Sequence, residues 1–358
     1  MRSSPAPDRL RGVNLGGWLV LEKWMTPSLF AGVAAGDETA WCVELGSAAA
    51  RRLRAHWRGF VVRDDFAWLA DRGVDAVRIP IGHWIFGPPY PYHRNYGASR
   101  APFVEGGIDV LDDALDWAAR YGLRAMIDLH AAPGCQNGFD NGGMQGVCEW
   151  HTSEEYVAHS VDVLARLAQR YRAHPALHSI EALNEPRWDV PTDFLKQYYA
   201  RAHDAIRAHC PPERAAVVLH DGFRSHREYA DLATSPAFRN IAFDIHRYQC
   251  FDPSDIALDL RGHVSKARGA WKDEARSMRE ELHMPTFVGE WSLGLDPTTT
   301  AAMDATRLTR ALRRYGRAQL DAFAAHAGWF FWSYRTEASP AWCFRDCVER
   351  GWLPPRLR

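Results

Sequence analysis

The sequence lacks an excess of charge of either sign. Lys and Arg (43) nearly cancel Asp and Glu (44), so the chain carries no basic field to gather phosphate backbones or anionic lipid. Nucleic acid is therefore not an expected partner. No apolar run approaches the length needed to cross a bilayer, so no membrane insertion is expected. The amino-terminal stretch MRSSPAPDRLRGVNLGGW has no apolar core of secretory length, which predicts a cytoplasmic enzyme. The seven Cys are odd in number and form no CxxC pair, which favours free thiols over a disulfide framework. Cys135 and Cys148 share one loop, and a bridge between them is left open. No GxGxxG turn follows the first apolar run and no HExxH or HxH pair occurs, so neither a dinucleotide fold nor a metal hydrolase is indicated.

What the chain has in quantity is aromatic surface: 15 Trp, 12 Tyr and 16 Phe in 358 residues. Flat amphipathic rings suit the apolar faces of sugars as well as a core.

Eight short β-branched or apolar runs recur along the chain, near Gly12–Leu15, Ala76–Ile81, Ala125–Leu129, Ser179–Leu183, Ala216–Leu219, Ile241–Ile245, Thr286–Gly289 and Gly328–Trp332. Between them lie segments with apolar residues three and four apart: Ala48–Phe60 with Asp64–Arg72, Ile108–Tyr121, Glu154–Tyr171, Asp193–His209, Val264–Leu282 and Thr306–Ala325. This is the rhythm of parallel βα units. Eight of them predict a closed (β/α)8 TIM barrel, forming one catalytic domain over residues 1–358 with long loops after the first, second, third and sixth strands. In such a barrel the residues that end the strands converge on one face.

Two of those ends carry a carboxylate. The fourth run ends in SIEALNEP, where Pro186 stops the strand and leaves Asn184 and Glu185 at the rim. The seventh ends in TFVGEWS, placing Glu290 at the corresponding level. Glycosidic cleavage needs one carboxylic acid to protonate the leaving oxygen and one carboxylate at the anomeric carbon, so Glu185 is the candidate acid/base and Glu290 the candidate nucleophile. Arg78 in AVRIP, His130 closing MIDLH, and His246 with Tyr248 closing FDIHRY place further polar groups where a core would not want them. An Arg beside Glu290 is expected to hold it ionised, while burial and a neighbouring negative charge are expected to keep Glu185 protonated. Convergence of His130, His220, His246 and Asp128 raises a metal site as an alternative, but no metal is expected, since strand-end histidines serve equally as donors to sugar hydroxyls.

The motifs NEP, GEW and HRY, together with Arg78, resemble glycoside hydrolase family 5, the cellulase-like barrels. RGVNLGGWLVLEKWMTPSLF, VRIPIGHWIF, DLHAAPGCQNGFDNGG and FFWSYRTE look like its exo-β-1,3-glucanase and β-glucosidase branch, so the resemblance runs from Arg11 to about Glu337. It implies hydrolysis with retention through a covalent glycosyl-enzyme, no cofactor, and a β-linked glucosaccharide or glucoside as substrate. Residue by residue it implies acid/base and nucleophile roles for Glu185 and Glu290, and sugar-site support from Arg78, His130, Asn184, His246 and Tyr248. It further implies that Glu22 binds the terminal glucose, that Trp332 is the platform under that sugar, and that Phe139 and Phe251 clamp the next sugar at the entrance. Lys23 stands where the branch has Pro. Another linkage or aglycone, such as a β-1,4-glucan or a glucosyl lipid, is the alternative substrate. A carbohydrate-binding barrel without turnover is the alternative outside catalysis.

Overall fold

A computed structural model describes residues 9–357; the first eight residues, on which part of the secretory-signal expectation rests, and Arg358 lie outside the described residues. Eight strands, β1 (Leu10–Asn14), β2 (Ala76–Gly82), β3 (Arg124–Ala131), β4 (Leu177–Glu181), β5 (Ala216–His220), β6 (Ile241–Arg247), β7 (Thr286–Trp291) and β8 (Gly328–Phe331), pair in chain order. All neighbours are parallel, and β1 closes on β8 through Leu10–Gly328 to Val13–Phe331. The chain is thus a closed (β/α)8 barrel.

The helices follow the expected periodicity closely, with Glu154–Tyr171 matching to the residue. Two differ. The segment expected as one helix from Val264 is two, Leu260–Arg268 and Ala270–Glu281, broken at Gly269 (φ −104°, ψ −87°). A helix not expected, Glu38–Leu45, is embedded in the loop after β1, capped by Asp37 accepting from the Ala40 amide. It has almost no one-sided apolar pattern because the loop covers it on several faces; Glu38, Thr39, Trp41 and Cys42 are all buried.

Side chains alternate along a strand, and this period of two organises the barrel interior. Leu10, Ala76, Met126, Val218, Ala242, Phe287 and Phe330 form one apolar cluster, separate from the larger core between strands and helices. It is the barrel floor. Two residues further along the same rails stand Arg78, Asp128, His220, Asp244 and Trp332, and another two bring His130 and His246. The floor is apolar and the mouth polar because each strand switches composition on the same inward-facing rail. Gly289 marks where β7 must stay slim: a Cβ there would come within 1.9 Å of Asp244 Oδ2. Its amide instead donates to Asp244 Oδ1 at 2.6 Å. The register between β6 and β7 shifts at Ile245/His246, so that His246 stands beside Glu290.

All seven cysteines are free thiols, so the bridge left open between Cys135 and Cys148 is absent; Cys148 Sγ donates to Gln136 O at 3.4 Å. Among the described residues, no helix is long and apolar enough to cross a membrane.

Candidate active site

Glu185 and Glu290 are brought together by the ends of β4 and β7, both nearly buried (7% and 4% exposed). His246 Nδ1 stands between them, donating to Glu185 Oε1 at 2.7 Å and lying 3.4 Å from Glu290 Oε2. Those two carboxylate oxygens are therefore no more than about 6 Å apart. Such a span suits the ~5–5.5 Å carboxyl pair of a double displacement and falls short of the ~6.5–9.5 Å that an inverting pair leaves for a water. Glu185 has φ +44°, a left-handed conformation unusual for a residue with a Cβ. Such backbones cost about 1–3 kcal/mol and persist where surrounding contacts hold them.

Those contacts are present. Asn141 Nδ2 donates to Glu185 Oε2 at 3.0 Å. Gln136 Nε2 donates to the carbonyls of His130 (2.7 Å) and Asn184 (2.8 Å), tying the β3 loop to the NEP turn.

Glu290 is held from two sides. Tyr248 Oη donates to Oε2 at 2.8 Å, and Arg78 Nη1 donates to Oε1 at 3.1 Å. The Arg78 guanidinium, fully buried, also donates to Glu181 (2.7 Å), Asn14 (3.1 Å) and Asn184 (2.8 Å) and lies 3.2 Å from Asp128 Oδ2. One cation thus serves three carboxyl groups. Burial, with the charges of Asp128 and Asp244, pushes Glu181 well above the carboxylate range against the pull of Arg78. His130 Nδ1 lies 2.6 Å from Asp128 Oδ2, and its ring stacks on Trp332 with centroids 5.4 Å apart and planes 5° from parallel.

The shift on Glu185 runs opposite to the expected one. Burial raises Glu185, but the hydrogen bond and charge of His246 and the Asn141 amide outweigh it, and the net shift is downward. Glu290 is raised by burial and the Glu185 charge, against His246 and Arg78. His246, although burial opposes its charge, is driven well above its ordinary value by Glu290, Asp244 and Glu185. The hydrogen bond that His246 Nδ1 donates to Glu185 thus favours the ionised carboxyl. The expected ordering of the two carboxyls overlooked this histidine, which faces both.

Glu22 lies near enough to Glu185 and Glu290 to feel both charges. It is 4% exposed, Trp24 Nε1 donates to its Oε2 at 2.9 Å, and its Oε1 has no hydrogen-bond partner among the described residues. Burial, then the charge of Asp140 and those of the catalytic pair, raise its carboxyl well above the usual range despite the Trp24 bond. A buried carboxyl with one free oxygen is suited to a sugar hydroxyl. Lys23 turns away, donating to Ala35 O at 3.0 Å.

The entrance is aromatic. Phe251, 69% exposed, contacts Tyr248 and Trp342 (centroids 5.5 and 6.1 Å). Trp342 also meets Trp24 at 5.5 Å. Phe139 instead neighbours Trp188 at 6.4 Å, so the two expected clamp residues belong to different ring clusters. Reading strand ends alone missed Asn14, Glu181 and Asp244, which lie one inward position below the rim, and Gln136 and Asn141 in the β3 loop. Extending the period-two rail inward from His246 would have found Asp244, and from Glu185 by two such steps Glu181.

Two groups offer metal-ligand atoms within 4.8 Å of one another, Glu185–His220–His246 and Glu181–Asp244–His246. Both include His246, whose Nδ1 donates to Glu185, while Glu181 Oε1, Asp244 Oδ2, His220 Nε2 and His246 Nε2 have no hydrogen-bond partner among the described residues; the Arg78 guanidinium beside Glu181 opposes a second cation.

The family model for cellulase (glycosyl hydrolase family 5) matches residues 44–337. A probable glucan 1,3-beta-glucosidase A of Emericella nidulans is 35% identical, the match covering 98% of this chain and 91% of that protein. A glucan 1,3-beta-glucosidase of Blumeria graminis is 32% identical over 98% of this chain and 88% of that protein. Among solved structures, a rutinosidase from Aspergillus niger superposes with a TM-score of 0.80 at 20% identity, covering 96% of this chain and 97% of that one. The barrel, the carboxyl pair and these near-full-length matches agree: the chain belongs to glycosyl hydrolase family 5 and is a retaining O-glycosyl hydrolase.

Proposed function

We propose that the protein removes terminal glucose from β-1,3-linked glucooligosaccharides and related β-glucosides, with Glu290 as nucleophile and Glu185 as acid/base. The observation that carries this reading is Glu22: a buried carboxyl with a free oxygen beside the catalytic pair gives the site a closed end that a chain terminus fits. The relatives' printed activity, glucan 1,3-beta-glucosidase, points the same way.

In the first step Glu290 attacks the anomeric carbon. The bond from that carbon to the leaving oxygen breaks, and the oxygen takes the proton that Glu185 receives from His246. In the second, Glu185 accepts a proton from water as the water displaces Glu290. Arg78 and Tyr248 keep the attacking oxygens aimed, and Tyr248 stays a donor because burial and Glu290 raise its phenol far above the ordinary value. Asn184 and His130 face the sugar hydroxyls, with Trp332 beneath the ring. Early products from laminari-oligosaccharides, cello-oligosaccharides and an alkyl glucoside test the reading. Glucose released singly from the β-1,3 series supports it; internal cleavage, or preference for the β-1,4 series, rejects it.

A further inference from the structure

The β4 loop does not end its contribution at Glu185. Three residues on, beyond Pro186, Trp188 is 59% exposed, a large apolar ring that the fold leaves in solvent. Its backbone is nevertheless fixed from both sides. The Arg187 amide donates to Gln136 O (3.1 Å), and the Arg187 guanidinium donates to both oxygens of Asp189 at 2.6 and 2.7 Å. From β5's loop, Arg224 Nη2 donates to the Trp188 carbonyl at 2.8 Å and also reaches Val190 O. Val190 itself is buried. The ring is held out on a braced support.

Its neighbours are also rings. Phe139 lies at 6.4 Å on one side and Phe223 at 6.4 Å on the other. Phe223 is 43% exposed and adopts φ +59°, a conformation its side chain disfavours, secured by its amide donating to Asp221 Oδ1 at 2.8 Å. An exposed ring on a strained turn marks a position shaped for something other than stability.

The direction follows from the chemistry. Glu185 delivers its proton to the leaving oxygen, so the leaving group departs along the Glu185 side of the mouth. Phe139 belongs to the loop whose Asn141 holds Glu185, and Trp188 to the loop that carries Glu185. Both rings therefore belong to the loops on the leaving-group side, with Trp188 next to Phe139. On the opposite side, Phe251 and Trp342 gather around Tyr248 and the nucleophile.

We infer that Trp188, backed by Phe223, is the platform for the second sugar of a β-glucosyl leaving group. This assignment rests on the oligosaccharide function proposed above. It makes the protein a reader of chain length: a disaccharide substrate leaves the platform bare, whereas a trisaccharide lays a pyranose face on it.

The test is kcat/KM for laminaribiose, laminaritriose and 4-nitrophenyl β-glucoside, in the wild type, Trp188→Ala and Trp188→Phe. The wild type should prefer the trisaccharide over the disaccharide severalfold. Trp188→Ala should lower that ratio severalfold, to about one, with the loss in KM and not kcat. Trp188→Phe should restore most of it. An unchanged ratio overturns the inference, as does an equal fall on all three substrates, which marks damage to the loop. Failure of the wild type to cleave laminaribiose defeats the underlying function as well. Cleavage without any gain from the third sugar defeats the platform alone.

Discussion

His246 Nδ1 donates to Glu185 Oε1 across 2.7 Å, joining the end of β6 to the turn after β4. The pair holds one proton between an imidazole whose affinity is raised and a carboxyl whose affinity is lowered. Catalysis needs that proton on the carboxyl only when a leaving oxygen is within reach. The 2.7 Å contact lets a proton pass between imidazole and carboxyl when a glycosidic oxygen is presented to Glu185.

A bell-shaped pH dependence of kcat/KM follows. The acidic limb reports Glu290, which must be ionised to attack and whose pKa is raised by burial and the Glu185 charge, so it should lie above the ordinary carboxylate value. The basic limb reports loss of the last proton from the His246–Glu185 pair and should lie above the ordinary histidine value. In His246→Gln the carboxyl alone must keep the proton, so the basic limb should move to lower pH by one unit or more, on the order of the gap between the two group types. A basic limb that stays put in the variant would remove His246 from the proton's path.

Glu185→Ala should separate substrates by leaving group. Alkyl glucosides and laminaribiose need the departing oxygen protonated and should slow about 10²–10⁴-fold, the usual worth of a general acid. Aryl glucosides with acidic phenols should lose far less in the first step. Uniform loss across a series of phenols of graded acidity would contradict the assignment.

Much of this site was legible in the chain because each barrel strand ends at one rim, so NEP, GEW and HRY could be placed at one level without coordinates. Lengths also served, since Glu154–Tyr171 carries its own apolar stripe and needs no partner to be recognised. The helix Glu38–Leu45 was not legible, because a loop buries it on several faces and leaves no stripe. Nor were Glu181 and Asp244, which resemble ordinary strand acids until the barrel closes and turns them onto Arg78 and His246. The approach of His246 to Glu290 required the β6–β7 register shift, which no local pattern announces.

Gly289→Ala should destabilise the barrel. The added methyl would sit within 1.9 Å of Asp244 Oδ2, a carboxylate buried in the interior and bonded to the Gly289 amide, with no solvent to retreat into. Overpacking of this kind costs about 1–3 kcal/mol, and Glu290 is the next residue, so activity should fall with it. Denaturant titration beside a rate assay checks both, and a variant of native stability would show that β7 has more room than its contacts indicate.

Arg78 should tolerate neither removal nor replacement by Lys, and the two changes should fail differently. Arg78→Met leaves Asp128 and Glu290 buried without their cation, and removing one partner of a buried ion pair costs about 3–5 kcal/mol. Arg78→Lys restores a charge, but an ammonium cannot reproduce the planar fork that reaches Glu181, Asn14, Asn184 and Glu290 at once. It should recover part of the stability while kcat stays depressed, because Glu290 and Asn184 lose their common donor. Thermal unfolding and kcat measured on both variants decide the matter: full activity in Arg78→Lys would mean that charge alone, and not the geometry of the fork, positions the nucleophile.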